Sequence, residues 1–254
     1  AYGAQDIYLT GNPQITFFKV VYRRHTNFSM EAIEQTINGG QKAGGTSGTV
    51  TISRNGDLVT KVYVTSETAS IENGSALVKE VELEIGGQRI DKHYQEWNEI
   101  WNELSTPESK AVGLKAMQGC VGSSGSTGVG MIQVPLNFWF CRNPGLALPL
   151  IALQYHEVKL KFTWGTSGDV GVAADCKVFV DYIYLDTDER RRFAQQSHEY
   201  LIEQLQLQSD TGKTSMKLNL NHPVKELIWT SDTDYTTARL VLNGHDRFSN
   251  QKKE

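Results

Sequence analysis

The stretch YHEVKLKFTW, residues 155–164, alternates between charged and apolar side chains. Glu157, Lys159 and Lys161 take the odd positions, and apolar side chains take the even positions from residue 158 to Trp164. Since successive side chains of a β-strand point to opposite faces, this pattern predicts a strand with one buried face and one solvated face. The stretch therefore indicates a sheet that is covered on one side.

A second stretch, VKEVELEIGGQRI at residues 78–90, repeats the alternation and ends in a turn. Glu80, Glu82 and Glu84 share one face of the predicted strand, and Gly86-Gly87 then reverses the chain. Three aligned carboxylates raise the question of acid/base chemistry on a sugar. We favour a solvated or interface face.

Short apolar alternations recur along the rest of the chain. The stretch CKVFVDYIYLD, residues 176–186, is apolar on both faces, which indicates a central strand. Many short strands at this spacing predict an all-β sandwich or jelly roll. Further strands are predicted at residues 14–22, 49–53, 59–65, 132–140, 177–185, 201–208, 216–221, 226–230 and 239–242.

Short helical segments interrupt the strands. An apolar stripe with helical spacing runs from Trp97 to Leu104, and Thr106-Pro107 then predicts the N-cap and first residue of a second short helix. Thr187 is predicted to cap a short turn in which acidic residues precede basic ones. These segments are insertions between strands.

Length and charge limit the classes of function. The chain has 254 residues, a net charge of −4 and a pI of about 5.9, so we predict no direct nucleic-acid partner. No apolar run approaches the roughly 18 residues that span a bilayer. The first residues, AYGAQD, do not resemble a secretory signal. We expect a soluble protein that is made in the cytosol and has no transmembrane segment.

Templates for catalysis and metal binding are incomplete. HEYLI at His198 lacks the second histidine of a metalloprotease helix, because Ile202 stands there. TGKT at Thr211 lacks the first glycine of a phosphate loop, and the six histidines are not clustered as a cupin-like metal enzyme requires. The three cysteines lie far apart, and we predict buried free thiols. We predict no enzyme activity, no cofactor and no metal.

Two arginine clusters are candidate contact sites. Arg190 and Arg191 follow a run of acidic residues, and we favour a solvated turn or an intersubunit salt bridge over a phosphate site. Arg23 and Arg24 fit subunit contact and internal packing equally well.

The N-glycosylation acceptor pattern occurs twice, at Asn27 and at Asn73. Such short patterns arise by chance. We expect neither asparagine to be modified in a protein that is assembled in the cytosol.

A weak internal echo links the two ends of the chain. NGDLVTKVYV followed by VELEIGGQRI is matched, near the C-terminus, by NHPVKELIW followed by ARLVLNGHDRF. In both pairs the second strand ends in a glycine turn and an Arg-apolar pair, Arg89-Ile90 and Arg247-Phe248. One module is therefore predicted to be complete, and a second copy begins near Asn221.

Seven ordered blocks carry a family resemblance: AYGAQDIYLTGNPQITFFKVVYRRHTNF, ISRNGDL, VELEIGGQRIDKHY, NPGLALPLIALQYHEVKL, VDYIYLDTDERRRFA, HEYLIEQLQ and LNGHDRF. Together they closely resemble the major capsid proteins of large icosahedral DNA viruses, of the phycodnavirus type. The resemblance runs from Ala1 to about Phe248, and blocks of this length are far more specific than a short catalytic motif.

The resemblance implies a viral double jelly roll, in which three chains form a pseudo-hexagonal capsomer of an icosahedral shell. Residues 1–10 would form an N-terminal arm, 11–208 the first jelly roll, 209–220 a linker strand region and 221–254 the start of a second, incomplete jelly roll. We therefore expect a fragment or a shortened relative. The implied partners are its own copies in a homotrimer, neighbouring capsomers and minor capsid proteins. The implied location is the virion shell, with assembly in the host cytoplasm.

Within this framework, the apolar run GLALPLIAL predicts surface that is buried at a domain or subunit junction. We expect replacement of Leu148 and Ile151 by Asp to abolish capsomers. The residues predicted for the assembly interface are Leu146, Leu148, Ile151, Arg23, Arg24, Arg190 and Arg191.

A carbohydrate-binding jelly roll is the alternative function. Tyr63, Trp97 and Trp101 offer aromatic rings that could stack on sugars. Trp97 and Trp101 share one helical stripe, however, which favours core packing.

Overall fold

The computed structural model describes residue 4 and residues 26–40, 44–67, 74–119, 132–166 and 175–252. The chain divides into two compact units, a first unit of Ala1–Leu205 and a second unit of Gln206–Glu254. The predicted strand at residues 14–22 lies outside the described residues.

The first unit contains an antiparallel sheet, called here the first sheet, with the strand order β1-β10-β4-β7 and with β8 paired to β4. Its strands are β1 (Phe28–Gln35), β4 (Leu58–Ser66), β7 (Ile132–Pro135), β8 (Leu148–Pro149) and β10 (Cys176–Leu185). The predicted central strand is confirmed, because β10 lies between β1 and β4.

A second antiparallel sheet, called the second sheet, has the order β2-β3-β9-β5-β6. Its strands are β2 (Ile37–Gly39), β3 (Ser47–Thr51), β5 (Val78–Ile85), β6 (Gln88–Tyr94) and β9 (Val158–Trp164). Neighbours in space that are distant in sequence, such as β9 beside β3 and β10 beside β4, give the connectivity of a jelly roll.

The core consists of the inward faces of these two sheets. In β9 every second residue from Val158 to Trp164 is buried, as the alternation in the sequence predicts. The rings of Phe162 and Trp164 stack with centroids 4.8 Å apart, and Trp164 Nε1 donates to the carbonyl oxygen of Gly40 at 2.8 Å. This bond satisfies the indole N–H and joins β9 to the end of β2.

Charged side chains line the outward face of the second sheet. Lys92 Nζ lies 2.9 Å from Glu80 Oε2, and Lys161 forms an ion pair with Glu84. Glu82 stands between Lys92 and Lys161 in the strand register. The aligned glutamates are therefore matched by lysines on the neighbouring strands, as expected for a solvated face.

The helices are α1 (Gln95–Ser105), α2 (Glu108–Met117), α3 (Trp139–Arg142) and α4 (Thr187–Gln195), with 3₁₀ turns at Gly74–Leu77 and Pro144–Leu146. The predicted cap of α2 is wrong by one residue, since Pro107 is extended and occupies the N-cap position. The predicted cap of α4 is also wrong, because Asp186 is the N-cap and accepts a hydrogen bond from the amide of Thr187 at 2.8 Å. Across the described residues, no helix is long and apolar enough to cross a membrane.

The predicted strand at residues 132–140 is wrong in its second half. β7 ends at Pro135, and α3 begins at Trp139. Phe138, Trp139 and Phe140 are all buried. Three consecutive inward side chains do not fit the alternation of a strand, whereas a helical turn places them around one centre.

The second unit has short strand pairs, β11 (Thr237–Ala238) with β14 (Gln251–Lys252) and β12 (Val241–Leu242) with β13 (His245–Asp246). The strands predicted at 201–208, 216–221 and 226–230 are not formed, and the one at 239–242 is reduced to β12. No residue is buried between residues 206 and 252, so the stretches at 216–221, 226–230 and 239–242 have no covering layer among the described residues.

The echo between the two ends is visible at two tight turns. Gly86 and Gly87 join β5 to β6 with φ of 59° and 85°, and Asn243 and Gly244 join β12 to β13 with φ of 52° and 79°. Both are two-residue hairpin turns that require positive φ, where Asn-Gly and Gly-Gly are favoured.

Removal of a core side chain should destabilise the first unit strongly. Leu83 is fully buried between the sheets, and we expect Leu83→Ala to lower the free energy of unfolding by about 2–5 kcal/mol because it leaves a cavity. Urea titration followed by tryptophan fluorescence measures this change. Val112→Ala is the control, since Val112 is 78% exposed on α2 and its loss should change stability by less than about 0.5 kcal/mol. Equal effects of the two variants would contradict the assigned core.

Candidate assembly surface

The apolar run at residues 144–153 belongs mainly to the interior of the first unit. Asn143 caps the 3₁₀ turn by accepting from the amide of Gly145 at 2.8 Å, and the chain then enters β8. Leu148 pairs with Val59 of β4 and is only 6% exposed. β8 joins the edge of the first sheet and turns this side chain into the core of the first unit, and the place of Leu148 in an assembly interface stays a prediction.

Leu146 and Ile151 are half-buried, and Leu146 packs against the core from its rim. Each side chain keeps part of its surface in solvent. Their place in an assembly interface stays a prediction.

Arg54 fixes the loop that follows this run. Its guanidinium donates to the carbonyl oxygens of Leu153 at 2.6 Å and of His156 at 3.1 Å, and it also bonds that of Gln154. Tyr155 stands at the tip of the loop and is 94% exposed. A rigid loop therefore presents an aromatic ring to solvent.

The two predicted arginines of α4, Arg190 and Arg191, have different surroundings in the structure. Arg190 Nε lies 3.0 Å from Oδ1 of Asp57, and the other oxygen of this buried carboxylate accepts from the amide of Leu185 at 2.8 Å. This salt bridge lies within one chain and holds α4 against the first sheet. Arg191 is exposed. Arg23 and Arg24 lie outside the described residues, and the interface role of all four stays a prediction.

α4 covers one end of the outward face of the first sheet. Phe193 of α4 packs on a small apolar cluster of Leu58, Ala147 and Ile183. The salt bridge between Arg190 and Asp57 borders this contact and adds a charged anchor to it.

The part of the same face that no other described residue covers contains a hollow of about 220 Å³. Phe179 and Tyr63 are directly opposite each other on β10 and β4, and Ala32 of β1 is directly opposite Asp181. Burial raises the pKa of the Asp181 carboxyl, an effect that the nearby Lys61 counteracts. The described residues that line the hollow are Ala32, Tyr63, Thr65, Gln133, Phe179 and Asp181.

A buried polar pair ties the end of the first unit to the second sheet. His93 Nε2 donates to Asp91 Oδ2 at 2.9 Å, and both residues are less than 5% exposed. The other carboxylate oxygen, Asp91 Oδ1, accepts from the amide of Leu205 at 3.0 Å. Gln204 Nε2 adds a bond to the carbonyl oxygen of Ile90 at 2.6 Å. Residues 203–205, called here the exit segment, are thereby bound along β6.

Arg142 makes a further contact with the exit segment and covers Trp101. Its Nη1 donates to Glu203 Oε2 at 2.6 Å, while its guanidinium carbon lies 3.7 Å from the centre of the Trp101 ring. The Trp97 and Trp101 rings lie 5.7 Å apart. Because arginine already occupies a face of Trp101, these tryptophans do not form an open platform for sugar stacking.

Other predicted sites are dispersed. Asn27 is exposed, whereas Asn73 lies outside the described residues, as does Cys120. Cys141 and Cys176 are thiols, and burial raises the pKa of Cys141 to about 12. Within the described ranges, His, Cys, Asp and Glu side chains form no group of three or more that could hold a metal ion.

Sequence reasoning missed the Arg54 clamp, the hollow and the exit segment. Each one joins residues that are distant in the chain, such as Arg54 with residues 153–156 and Asp91 with Leu205. The isolated Asp91 and His93 two residues apart were the only local signal for a buried pair, since this spacing puts both on one face of a strand.

Two facing antiparallel sheets in jelly-roll order, which enclose a dense apolar core, define a β-sandwich of the jelly-roll class. The family model described as "Major capsid protein N-terminus" matches residues 16–186. The chain therefore belongs to the major capsid protein family, and it is a structural protein of the virion shell of large DNA viruses.

Individual relatives agree with this assignment. The major capsid protein of Pyramimonas orientalis virus is 56% identical over 98% of this chain, which spans 70% of that protein. The major capsid protein of Paramecium bursaria Chlorella virus 1 is 49% identical over 90% of this chain, which spans 58% of that protein. A quasi-atomic model of the PBCV-1 virus capsid matches 93% of this chain and 74% of its own at 36% identity, with a TM-score of 0.74.

Aspartate substitutions in the apolar run should destabilise the protein more at a core position than at the rim of the core. We expect Leu148→Asp to lower the free energy of unfolding by about 4 kcal/mol or more, because it places a charge in the core. Ile151→Asp is the matched variant, and at this half-buried position the expected loss is about 1 kcal/mol. Urea unfolding of both proteins measures the difference. A stable Leu148→Asp protein would contradict the placement of β8.

Loss of the buried carboxylate should loosen the exit segment. We expect Asp91→Ala to cost about 3–5 kcal/mol, because His93 and the amide of Leu205 lose a buried acceptor. Urea unfolding measures the change in the free energy of unfolding, and hydrogen exchange of the Leu205 amide measures how often the exit segment opens. Asp232→Ala, at an exposed position, is the control and should change neither. Unchanged protection at Leu205 would count against the contact.

Proposed function

We propose that this chain supplies the wall of a trimeric, pseudo-hexagonal capsomer that tiles an icosahedral shell. The observation that carries the proposal is the match of both sequence and fold to viral major capsid proteins over most of the chain. In this proposal residues 1–10 are an arm, residues 11–208 are the first jelly roll, residues 209–220 are a linker, and a second jelly roll begins at residue 221.

The geometry of the first unit suits a wall element. Two sheets packed face to face through large apolar side chains form a stiff slab. The ion pairs of lysine and glutamate on the outward face of the second sheet keep that face exposed to solvent. The connections gather at the ends of the slab, where they can differ without disturbing the core. Contacts between copies then fall on loops and on the uncovered part of the first sheet.

The second unit needs a covering layer that its described residues do not provide. Val224, Trp229, Leu242 and Phe248 are each more than half exposed. Apolar side chains spaced along a segment of this kind become buried when further strands pack on it. This exposure supports the proposal that residues 221–252 take part in a second sandwich.

The proposed role is architectural and not enzymatic. Its partners are further copies in a homotrimer, neighbouring capsomers and minor capsid proteins, and assembly takes place in the host cytoplasm. A net charge of −4 gives no attraction to nucleic acid, which supports a shell position without direct genome contact.

The oligomeric state tests this proposal. Sedimentation equilibrium should reveal a species of three times the 28.4 kDa chain mass, and negative-stain images should show a pseudo-hexagonal outline. A folded chain that remains monomeric at all concentrations would contradict the proposal.

A charge reversal on α4 tests the predicted interface. Arg191→Glu should raise the dissociation constant of the trimer by about tenfold, if this exposed arginine faces a carboxylate of another copy. Lys110→Glu makes the same charge change at an exposed position of α2 and should leave the dissociation constant unaltered. Equal values for the two variants would remove Arg191 from the interface.

A further inference from the structure

Tyr155 is presented to solvent on a loop that is held from both sides. Arg54 binds three carbonyl oxygens of residues 153–156, and the amide of Gly86 donates to the carbonyl oxygen of Glu157 at 2.9 Å. The tyrosine ring itself is 94% exposed. A large aromatic side chain on a fixed backbone loses little entropy on binding, and tyrosine is enriched among residues that dominate protein interfaces.

The hollow on the first sheet has the dimensions and the chemistry to receive one such ring. Its volume of about 220 Å³ is below the roughly 300–1,000 Å³ of pockets for drug-sized ligands, so it suits a single side chain. Ala32 leaves the space open because its side chain is one methyl group. Phe179 and Tyr63 offer aromatic surfaces against which a further ring can pack edge-to-face or offset-stacked.

Polar groups of the hollow match the phenol end of a tyrosine. Asp181, Thr65 and Gln133 line it beside the aromatic rings. A carboxylate oxygen of Asp181 can accept a hydrogen bond from a tyrosine hydroxyl, and a buried Tyr O–H requires an acceptor of this kind.

We propose that Tyr155 of one copy inserts into the hollow of a second copy, with its ring against Phe179 and Tyr63 and its hydroxyl bonded to Asp181. This contact rests on the proposed shell role, in which identical chains meet side by side. Each chain carries both the tyrosine and the hollow, and the 94% exposure of Tyr155 shows that it does not fill the hollow of its own chain. The tyrosine and the hollow are different surfaces of the chain, so the contact is repeated across a two-fold axis, closes into a ring of copies or continues from copy to copy.

Two variants remove the two halves of the contact separately. Tyr155→Ala removes the ring, and Ala32→Trp fills the hollow on an exposed position of β1. Sedimentation equilibrium of each full chain should show self-association weakened by at least about tenfold. Tyr155→Phe keeps the ring and loses only the hydroxyl, so its defect should be smaller.

Each variant has a control that changes an exposed position outside the proposed contact. Val112→Ala removes an exposed apolar side chain from α2, and Ser29→Trp adds the same indole to the opposite face of β1. Both should associate like the unaltered chain. Urea unfolding of every variant confirms that association is compared between folded proteins.

A mixing experiment gives a result that a general loss of stability cannot imitate. Tyr155→Ala retains the hollow and Ala32→Trp retains the tyrosine, so a mixture of the two should form pairs that neither variant forms alone. If the unaltered chain assembles and both variants assemble equally well, the contact is wrong while the proposed shell role stands. If the unaltered folded chain never associates, the shell role and the contact both fail.

Discussion

The two sheets of the first unit can form only by covering each other, and this mutual burial underlies the other features of the structure. β9 and β5 carry apolar side chains on one face and charged side chains on the other, so a sheet made from them alone would expose a wide apolar surface. The first sheet supplies the opposing surface through Val62, Val64, Val178 and Val180. Helices, caps and turns attach to a slab that exists because of this contact.

Attachments to the slab repeat one interaction, a charged side chain that is bonded to several partners and at least one backbone group. Asp57 joins α4 to the first sheet through Arg190 and the amide of Leu185. Asp91 joins the exit segment to the second sheet, and Arg54 secures the loop of Tyr155 through three carbonyl oxygens. Because each of these charges meets several partners, it fixes the position of a connection that has little apolar surface of its own.

The part of the fold that was predictable is the part in which a local pattern and a long-range partner agree. Strands β5, β9 and β10 have strong alternation or apolar side chains on both faces, and each lies inside a sheet. The strands predicted at 216–221 and 226–230 have similar alternation but no layer to bury it, so pattern alone was insufficient. The surroundings of Leu148 were not predictable for the converse reason, since an apolar run beside a proline has the same pattern in a core as at an interface. The Arg54 clamp and the hollow depend on which strands become neighbours, and no local pattern contains that information.

Because β1 pairs with β10, the first sheet can be completed only late in synthesis. Phe28 and Leu185 are partners in the register, although they lie near opposite ends of the first unit. During synthesis β1 leaves the ribosome long before its partner exists, and the first sheet cannot close until almost the whole unit has been translated. β1 therefore stays unpaired with β10 until late in synthesis, and open strand edges of this kind can pair incorrectly during that interval.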